Sequence, residues 1–370
     1  MDSGSLSLAY SVADQSFART KSLGILNLSL QLAEVLSSRP EIQRLEVFSN
    51  SSLREWHDKL GGRQVRCFDH ACATRLGRIL WDQRQVYREA GKQRVQWLLL
   101  PKGFESFCRT RRIKVAAYVH DVIGEWYRER YPRAVSRIES WYFRQSLLAT
   151  LRHSTVIFTN SDFTRRELLA LGERHAIRTP DIMVAGIGFA QTTAPPRGSR
   201  GRIVVLASPL PHKRTDLALQ FMTAWQRTTG FAGPIHWVGR FPFGLRQPTD
   251  LGWEYHNRLD ECAYNSLIAE SKVVVYFSEY EGFGMPPVEA VLAGACPVYS
   301  TIPATQEVMR GLGAPFDNSS FDSFVAAMRI AFNMPPAELT SAAQSLLLRH
   351  NWAAVTDRII GALKCHSTTG

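Results

Sequence analysis

Residues 272–290, "KVVVYFSEYEGFGMPPVEA", join an apolar run, a turn with two glycines and a helix start with two prolines. The apolar run predicts a buried strand that ends near Ser278, and the glycines permit a tight turn. Because proline is tolerated in the first turn of a helix, Pro286 or Pro287 begins a helix that we predict over residues 286–294. Free N–H groups at such a helix start form a site for an anion such as a phosphate group.

Two glutamates accompany this anion site. Glu281 lies in the turn, and Glu289 follows eight residues later, in what we predict to be the first turn of the helix. Carboxylates accept hydrogen bonds from hydroxyl groups, and a nucleotide sugar carries hydroxyls on both sides of its diphosphate. From these residues alone a simpler alternative stays open, in which Glu289 complements the helix dipole and Glu281 is a solvated turn residue.

Short apolar runs alternate with segments of helical period along the whole chain, which is typical of βα units and parallel sheets. The predicted strands cover residues 6–12, 45–50, 95–100, 114–120, 154–160, 202–208, 234–239, 272–278 and 296–300. The predicted helices cover 23–37, the region of Trp81, 134–152, 215–228, 262–271 and 286–294.

The polar segment "QTTAPPRGSRG", residues 191–201, interrupts this alternation and is typical of an interdomain linker. It divides the chain into an N-terminal domain, residues 1–190, and a C-terminal domain, residues 202–370. Both domains are predicted to be doubly wound α/β folds. Ligands are expected at the carboxyl ends of the strands and in a cleft between the domains.

The chain of 370 residues carries a formal net charge of +11, concentrated in its first half. Residues 1–185 hold 29 Lys and Arg against 19 Asp and Glu, whereas the remainder holds 15 against 14. Such asymmetry suits nucleic acid, an anionic membrane surface or an anionic substrate, and a solvated basic surface without a partner also stays open. Since no nucleic-acid-binding motif accompanies the charge, we expect no nucleic-acid partner.

Six scattered cysteines form no CxxC pair and no cluster with histidine, so we expect reduced thiols and neither a zinc site nor a disulfide framework. No apolar stretch approaches the roughly 20 residues of a membrane span, and the start of the chain lacks the pattern of an export signal. We therefore expect a cytoplasmic protein, peripheral to the membrane at most.

The spacing of the two glutamates resembles the E-x7-E signature of retaining GT-B glycosyltransferases of the family 4 type. Other segments resemble this family's mannosyltransferase-like branch in the expected order: "RILWDQRQV" (78–86), "HDVIGEWY" (120–127), "NSDFTRREL" (160–168) and "STIPATQEV" (300–308). The resemblance covers most of the chain. It implies the GT-B fold, two Rossmann-like domains facing each other across a cleft, with the acceptor on the N-terminal side and the donor on the C-terminal side.

The resemblance also assigns roles at the donor site. Glu281 is expected to hold the donor sugar's hydroxyls, Glu289 to bind the ribose, and His120 to face the donor sugar near the reacting carbon. The backbone amides beside Glu281 are expected to assist it, those of Phe283, Gly284 and Met285. For His120 the residues alone also allow a core histidine satisfied by Asp121 or by the backbone.

Lys213, between a strand and a helix start, is expected to meet the diphosphate. The family has an arginine five residues earlier, where this chain has Ser208, so we expect Arg214 or Arg240 to supply the second charge. Gly24 resembles the glycine of the first strand-to-helix loop, although a plain helix-start glycine also explains it.

The sequence has no D-x-D motif, so a metal-chelated diphosphate is not expected, and the protein is predicted to need no metal or other cofactor. The expected donor is a nucleoside diphosphate sugar, with GDP-mannose or a related GDP-deoxysugar as first choice and UDP-linked donors not excluded. The resemblance implies transfer of a hexose such as mannose or rhamnose with retention of configuration.

The acceptor is expected to be a glycan, lipid-linked because "CRTRRIK" (108–114) and "WYRERYPRAVSR" (126–137) mix basic residues with aromatic ones. The predicted role is cell-surface polysaccharide synthesis at the cytoplasmic membrane face. Two alternatives remain from the sequence: a phosphorylase or epimerase on the same fold, and a non-catalytic GT-B binding subunit.

Overall fold

The computed structural model describes residues 5–20, 22–108, 113–190 and 201–368. The chain folds into two compact units. Unit 1 comprises Met1–Gly188 and His350–Gly370, and unit 2 comprises Phe189–Arg349. No helix in the described part of the chain has the length and apolar character needed to cross a bilayer.

Unit 1 contains a parallel sheet whose seven described strands follow the order β3-β2-β1-β4-β5-β6-β7. The strands are β1 (Leu6–Ser11), β2 (Ile42–Ser49), β3 (Gln64–Cys67), β4 (Trp97–Leu100), β5 (Lys114–Val119), β6 (Val156–Thr159) and β7 (Asp181–Val184). Alternate residues of β1 enter opposite cores, with Leu8 and Tyr10 on one face and Ala9 on the other. Burial on both faces explains why the inner strands β4, β5 and β6 are almost wholly apolar.

The helices of unit 1 cover both faces of this sheet. They are α1 (Leu23–Ser37), α2 (Arg54–His57), α3 (His70–Ala73), α4 (Arg75–Leu80), α5 (Val86–Lys92), α6 (Ile123–Arg130), α7 (Arg137–His153) and α8 (Asp162–Arg174). A π-helical segment, Trp81–Gln85, joins α4 to α5. The side chains of Ser136 and Ser161 cap the amino ends of α7 and α8, which satisfies backbone N–H groups that have no partner inside a helix.

Unit 2 contains a second parallel sheet, with its described strands in the order β10-β9-β8-β11-β12-β13. The strands are β8 (Ile203–Leu206), β9 (Ile235–Val238), β10 (Glu254–His256), β11 (Val273–Tyr276), β12 (Cys296–Ser300) and β13 (Ala314–Phe316). The helices are α9 (Thr215–Thr229), α10 (Glu261–Ala269), α11 (Met285–Leu292), α12 (Pro303–Met309), α13 (Phe321–Asn333) and α14 (Pro336–Arg349). This strand order is that of a dinucleotide-binding Rossmann fold.

The last helix, α15 (Trp352–Thr368), belongs to unit 1. Its apolar residues, including Val355, Ile359 and Leu363, join the core that α1 covers. The guanidinium of Arg358 also donates to the carbonyl of Ala185 at 2.8 Å. The predicted C-terminal domain, residues 202–370, therefore has to be corrected: the chain returns to unit 1 at His350 because α15 buries its apolar face there.

Four strands were missing from the sequence prediction: β3, β7, β10 and β13. All four lie at the edges of the two sheets. Edge strands are short and partly exposed, so they lack the continuous apolar run that identifies a central strand of a parallel sheet. The predicted linker, residues 191–201, lies outside the described residues apart from Gly201, and so does most of the basic run at 108–114.

Candidate active site

The candidate site in unit 2 lies at the carboxyl ends of β8 and β11, the two neighbouring strands at the centre of its sheet. From β8 the chain proceeds to β9 and β10 on one side, and from β11 it proceeds to β12 and β13 on the other. The connections therefore leave in opposite directions and open a crevice, which is where doubly wound folds bind ligands. The loop after β8 carries Lys213, and the loop after β11 carries Glu281.

The two loops are joined by their backbones. The N–H of Glu279 donates to the carbonyl of His212 at 2.7 Å. This bond holds the loop that carries Lys213 against the loop that carries Glu281. The hydroxyl of Thr215 donates to the carbonyl of Ser208 at 2.8 Å and closes the Lys213 loop on itself.

The carboxylate of Glu281 is the centre of a hydrogen-bonded network. Its Oε1 atom accepts from Lys213 Nζ, from the Tyr276 hydroxyl and from the Ser278 hydroxyl, each at 2.6 Å. The Lys213 ammonium also donates to the Tyr276 hydroxyl at 2.6 Å. All three bonds that described residues make to Glu281 use Oε1, so among these residues Oε2 has no donor and can accept from a ligand. An ammonium group has three donors, and described residues accept two bonds from Lys213, so Lys213 likewise retains one donor.

The charges around Glu281 favour its ionised form. Burial acts to raise the pKa of the Glu281 carboxyl, but Lys213 and His212 outweigh it and hold that pKa below its ordinary value. Burial lowers the pKa of His212 to about 4, so this imidazole is neutral at pH 7. A carboxylate with a lowered pKa is a poor general base but a good acceptor of hydroxyl hydrogen bonds.

The turn before α11 depends on glycine. Gly284 has a φ of 87°, and a Cβ atom there would lie 2.9 Å from the Thr305 methyl group. Phe283 is buried, whereas Met285 is only partly so. The helix begins at Met285 with proline in its first turn, as the sequence predicts.

Glu289 is the fifth residue of α11, so its predicted place in the first turn has to be corrected: the helix begins at Met285, before the prolines. Burial raises the pKa of Glu289 to about 7, and Lys213 acts in the opposite direction. The Glu289 carboxyl makes no hydrogen bond with a described residue. Burial raises the pKa of Tyr264, and the Glu289 carboxylate adds to this shift, so these two side chains lie near each other.

The two arginines proposed as a second cation differ in their surroundings. Arg214 donates to Asp216 at 3.0 Å and also pairs with Glu279, so two carboxylates already balance its charge. Arg240 is exposed at the carboxyl end of β9, beside β8, and makes no ion pair with a described residue. Of the two, Arg240 is better placed to offer charge to a ligand.

Unit 1 contains the remaining predicted residues. His120 follows β5, and its Nε2 atom donates to the carbonyl of Pro101 at 2.7 Å. Burial lowers the pKa of His120 to about 4, so the ring is neutral and its buried Nδ1 atom is an acceptor with no partner among the described residues. Gly24 is the second residue of α1, and a Cβ atom there would meet nothing within 4 Å. Steric space thus gives no reason for glycine at that position.

A comparison with curated proteins finds a relative in Escherichia coli, named O-antigen chain mannosyltransferase B. It is 25% identical over 333 residues, which cover 82% of this chain and 85% of the relative. No protein-family model matches the chain.

Solved structures match over nearly the full length. A glycosyltransferase from Rickettsia africae is 12% identical with a TM-score of 0.66, and the match covers 99% of each chain. HepE of Anabaena, solved in complex with UDP and glucose, is 15% identical with a TM-score of 0.65, covering 97% of this chain and 99% of HepE. The chain is a glycosyltransferase with the GT-B fold.

Sequence reasoning missed several polar residues of this glycosyltransferase. Tyr276 and Ser278 lie at the end of an apolar strand, so the sequence pattern predicts that they are core residues. In unit 1, Lys102 pairs with Asp14 and, at 2.7 Å, with Asp82, at the carboxyl ends of β1 and β4. In the sequence, Asp14 and Lys102 come just after predicted strands. This position is the feature from which the cluster could have been predicted.

The pKa of Glu289 predicts how stability changes with pH. Its folded pKa lies above the ordinary value, so ionisation of Glu289 destabilises the glycosyltransferase as pH rises from about 4.5 to about 7. The Glu289→Gln variant has no carboxyl group at this position, so it does not lose stability through this ionisation. The melting temperature of the variant relative to wild type should therefore increase between pH 5 and pH 8.

The matched control is Glu338→Gln, which changes an exposed glutamate of α14. Its melting temperature relative to wild type should stay constant over the same range. If the difference in melting temperature between Glu289→Gln and wild type did not change with pH, burial would not raise the pKa of Glu289 as described.

Proposed function

We propose that this glycosyltransferase moves a hexose, with retention of configuration, from a nucleoside diphosphate sugar to a lipid-linked glycan. The observation that carries the proposal is the network of Lys213 and Glu281 in the crevice between β8 and β11. It combines one spare donor on a cation with one spare acceptor on a carboxylate. Those are the groups needed to bind a diphosphate beside a sugar.

The donor's parts match the order of these groups along the loops. The sugar hydroxyls would donate to Oε2 of Glu281, and the diphosphate would meet Lys213, Arg240 and the amides of Phe283, Gly284 and Met285. The ribose hydroxyls would bind Glu289, whose carboxyl makes no hydrogen bond with a described residue. Cations and backbone amides would then balance the diphosphate charge without a metal ion.

The chemistry follows from the electrostatics of this site. Because the pKa of Glu281 is lowered, this carboxylate positions the sugar instead of removing a proton. The proton of the acceptor hydroxyl would pass to the departing phosphate on the same face of the sugar, which leads to retention. Catalysis would come from orientation and from stabilising the charge on the departing diphosphate.

His120 is proposed to contact the donor sugar. Its neutral ring and its Nδ1 atom, which has no hydrogen-bond partner among the described residues, suit the acceptance of a hydrogen bond from a sugar hydroxyl. The name of the E. coli relative supports mannose as the sugar and a surface polysaccharide as the product. Because HepE was solved with UDP, a UDP-linked donor remains an alternative to a GDP-linked donor, which is our first choice.

An exposed apolar surface supports a membrane-bound acceptor. Its members are Leu76, 65% exposed on α4, and Ile138 and Trp141, 82% and 56% exposed on α7. The segment Trp81–Gln85, which follows α4, is joined to α7 by a hydrogen bond from the Tyr142 hydroxyl to Asp82 at 3.2 Å. No residue of α4 is buried. Arg75 and Arg137 begin these two helices, so basic and apolar groups occur together, as on surfaces that bind anionic lipid. This surface supports a place at the cytoplasmic membrane face.

A thermal-shift panel of GDP, UDP, ADP and dTDP tests the donor proposal. A ligand that binds only the folded state raises the melting temperature, so one nucleoside diphosphate should produce a selective shift. Glu289→Ala should abolish it, since the ribose loses its acceptor. Absence of a shift with all four would contradict a nucleotide-sugar donor and favour a non-catalytic protein.

Two arginine variants locate the second cation within the same panel. Arg240→Ala should weaken nucleoside diphosphate binding by about tenfold, the value of a charge-assisted hydrogen bond. Arg214→Ala is the control, because its guanidinium is already paired with Asp216 and Glu279. A larger loss in Arg214→Ala than in Arg240→Ala would reverse the assignment.

Flotation with vesicles tests the membrane surface. Wild-type protein should bind vesicles rich in phosphatidylglycerol at low salt and bind neutral vesicles less. The triple variant Leu76→Ser, Ile138→Ser and Trp141→Ser should bind at least about tenfold less, because each apolar side chain contributes about 1.5 kcal/mol or more when buried.

The control for flotation is Phe243→Ser, which removes a fully exposed aromatic residue from unit 2. Its vesicle binding should equal that of wild type. Equal binding by wild type and the triple variant would contradict the proposed surface.

A further inference from the structure

Two neighbouring strands at one edge of the unit 2 sheet bring together a cluster of metal-ligating side chains. β9 contributes His236, and β10 contributes Glu254 and His256. Glu254 and His256 are two residues apart on one strand, so they point to the same face of the sheet. The parallel register pairs Glu254 with His236, which places the third side chain beside them.

The distances within this cluster match those around a bound ion. His236 Nδ1 lies 3.1 Å from His256 Nε2 and 3.3 Å from Glu254 Oε2. All three ligand atoms lie within 4.8 Å of one another. Two ligands bound tetrahedrally to zinc at about 2.0–2.1 Å are separated by about 3.3 Å. We propose that His236, Glu254 and His256 bind a divalent transition-metal ion of the zinc type.

The charges of the site are compatible with metal binding. The carboxylate of exposed Glu254 supplies a negative charge beside the two imidazoles. The nearby cation Arg202 is paired with Glu270 at 2.6 Å, so its charge is already balanced. Two imidazoles and one carboxylate form a donor set of the kind that zinc accepts, with a position left for water.

The ion would stabilise the edge of the sheet. β10 has only three residues, and an ion bound to both strands would fix it against β9. The carbonyl of His256 accepts the N–H of Gly239 at 2.8 Å, directly before Arg240. The proposed ion therefore supports the segment that carries Arg240, and it is separate from the carboxylate network at Glu281.

Zinc titration of the metal-stripped full-length protein tests this inference. Binding is followed by competition with a zinc-chelating dye, and visible absorption of Co²⁺ reports a tetrahedral site. Wild type should bind one more equivalent of zinc tightly than His256→Ala does. Glu254→Gln should bind that equivalent about 10- to 100-fold more weakly, since even groups that only support a ligand have effects of this size.

The tested side chains are the accessible ones, because replacing buried His236 could unfold the protein. His70→Ala, which removes an exposed histidine of unit 1, is the control and should bind zinc as wild type does. Equal zinc binding by wild type, His256→Ala and Glu254→Gln would overturn the inference. The titration uses no donor sugar, so its failure would leave the transferase proposal untouched.

Discussion

The ion pair between Lys213 and Glu281 is the interaction on which the candidate site of unit 2 depends. The two residues lie in different loops, and each loop follows a different central strand. The ion pair therefore links the two sides of the crevice in the unit 2 sheet. Removing either partner would leave a charge without its counterion in a mostly buried place, which is costly. Because of these bonds, one oxygen of the Glu281 carboxylate and one hydrogen of the Lys213 ammonium stay available to bind a ligand.

The strand order of the unit 2 sheet determines where this ion pair lies. Parallel strands end at one edge, and the reversal of strand order opens a crevice there. Unit 1 obeys the same rule, and its own crevice holds Lys102 between Asp14 and Asp82. The glycosyltransferase thus places a buried charged cluster at each reversal point.

Much of this arrangement could be predicted from the sequence. Apolar runs identified the central strands, and the glycine-proline turn identified α11, because these signals are local. The spacing of Glu281 and Glu289 indicated the candidate site at β11 and α11, and its assignment to the donor stays a prediction. Edge strands such as β7 could not be found, since an edge strand is only half buried and its sequence resembles a loop. The return of α15 to unit 1 depends on which core receives its apolar face. The pairing of Arg214 with two carboxylates depends on side-chain positions that no local pattern encodes.

The most direct test of the account is the release of nucleoside diphosphate from a nucleotide sugar in the presence of a lipid-linked acceptor. Wild type is compared with Glu281→Ala and with Glu279→Ala, a change of a neighbouring glutamate in the same loop. The account predicts that Glu281→Ala reduces turnover by roughly 100-fold or more, as the loss of a key polar contact to the transition state does, while Glu279→Ala remains active. A cooperative melting transition well above the assay temperature would show that both variants are folded, even if Glu281→Ala melts below wild type because Lys213 loses its counterion. Full turnover by a folded Glu281→Ala variant would contradict the account.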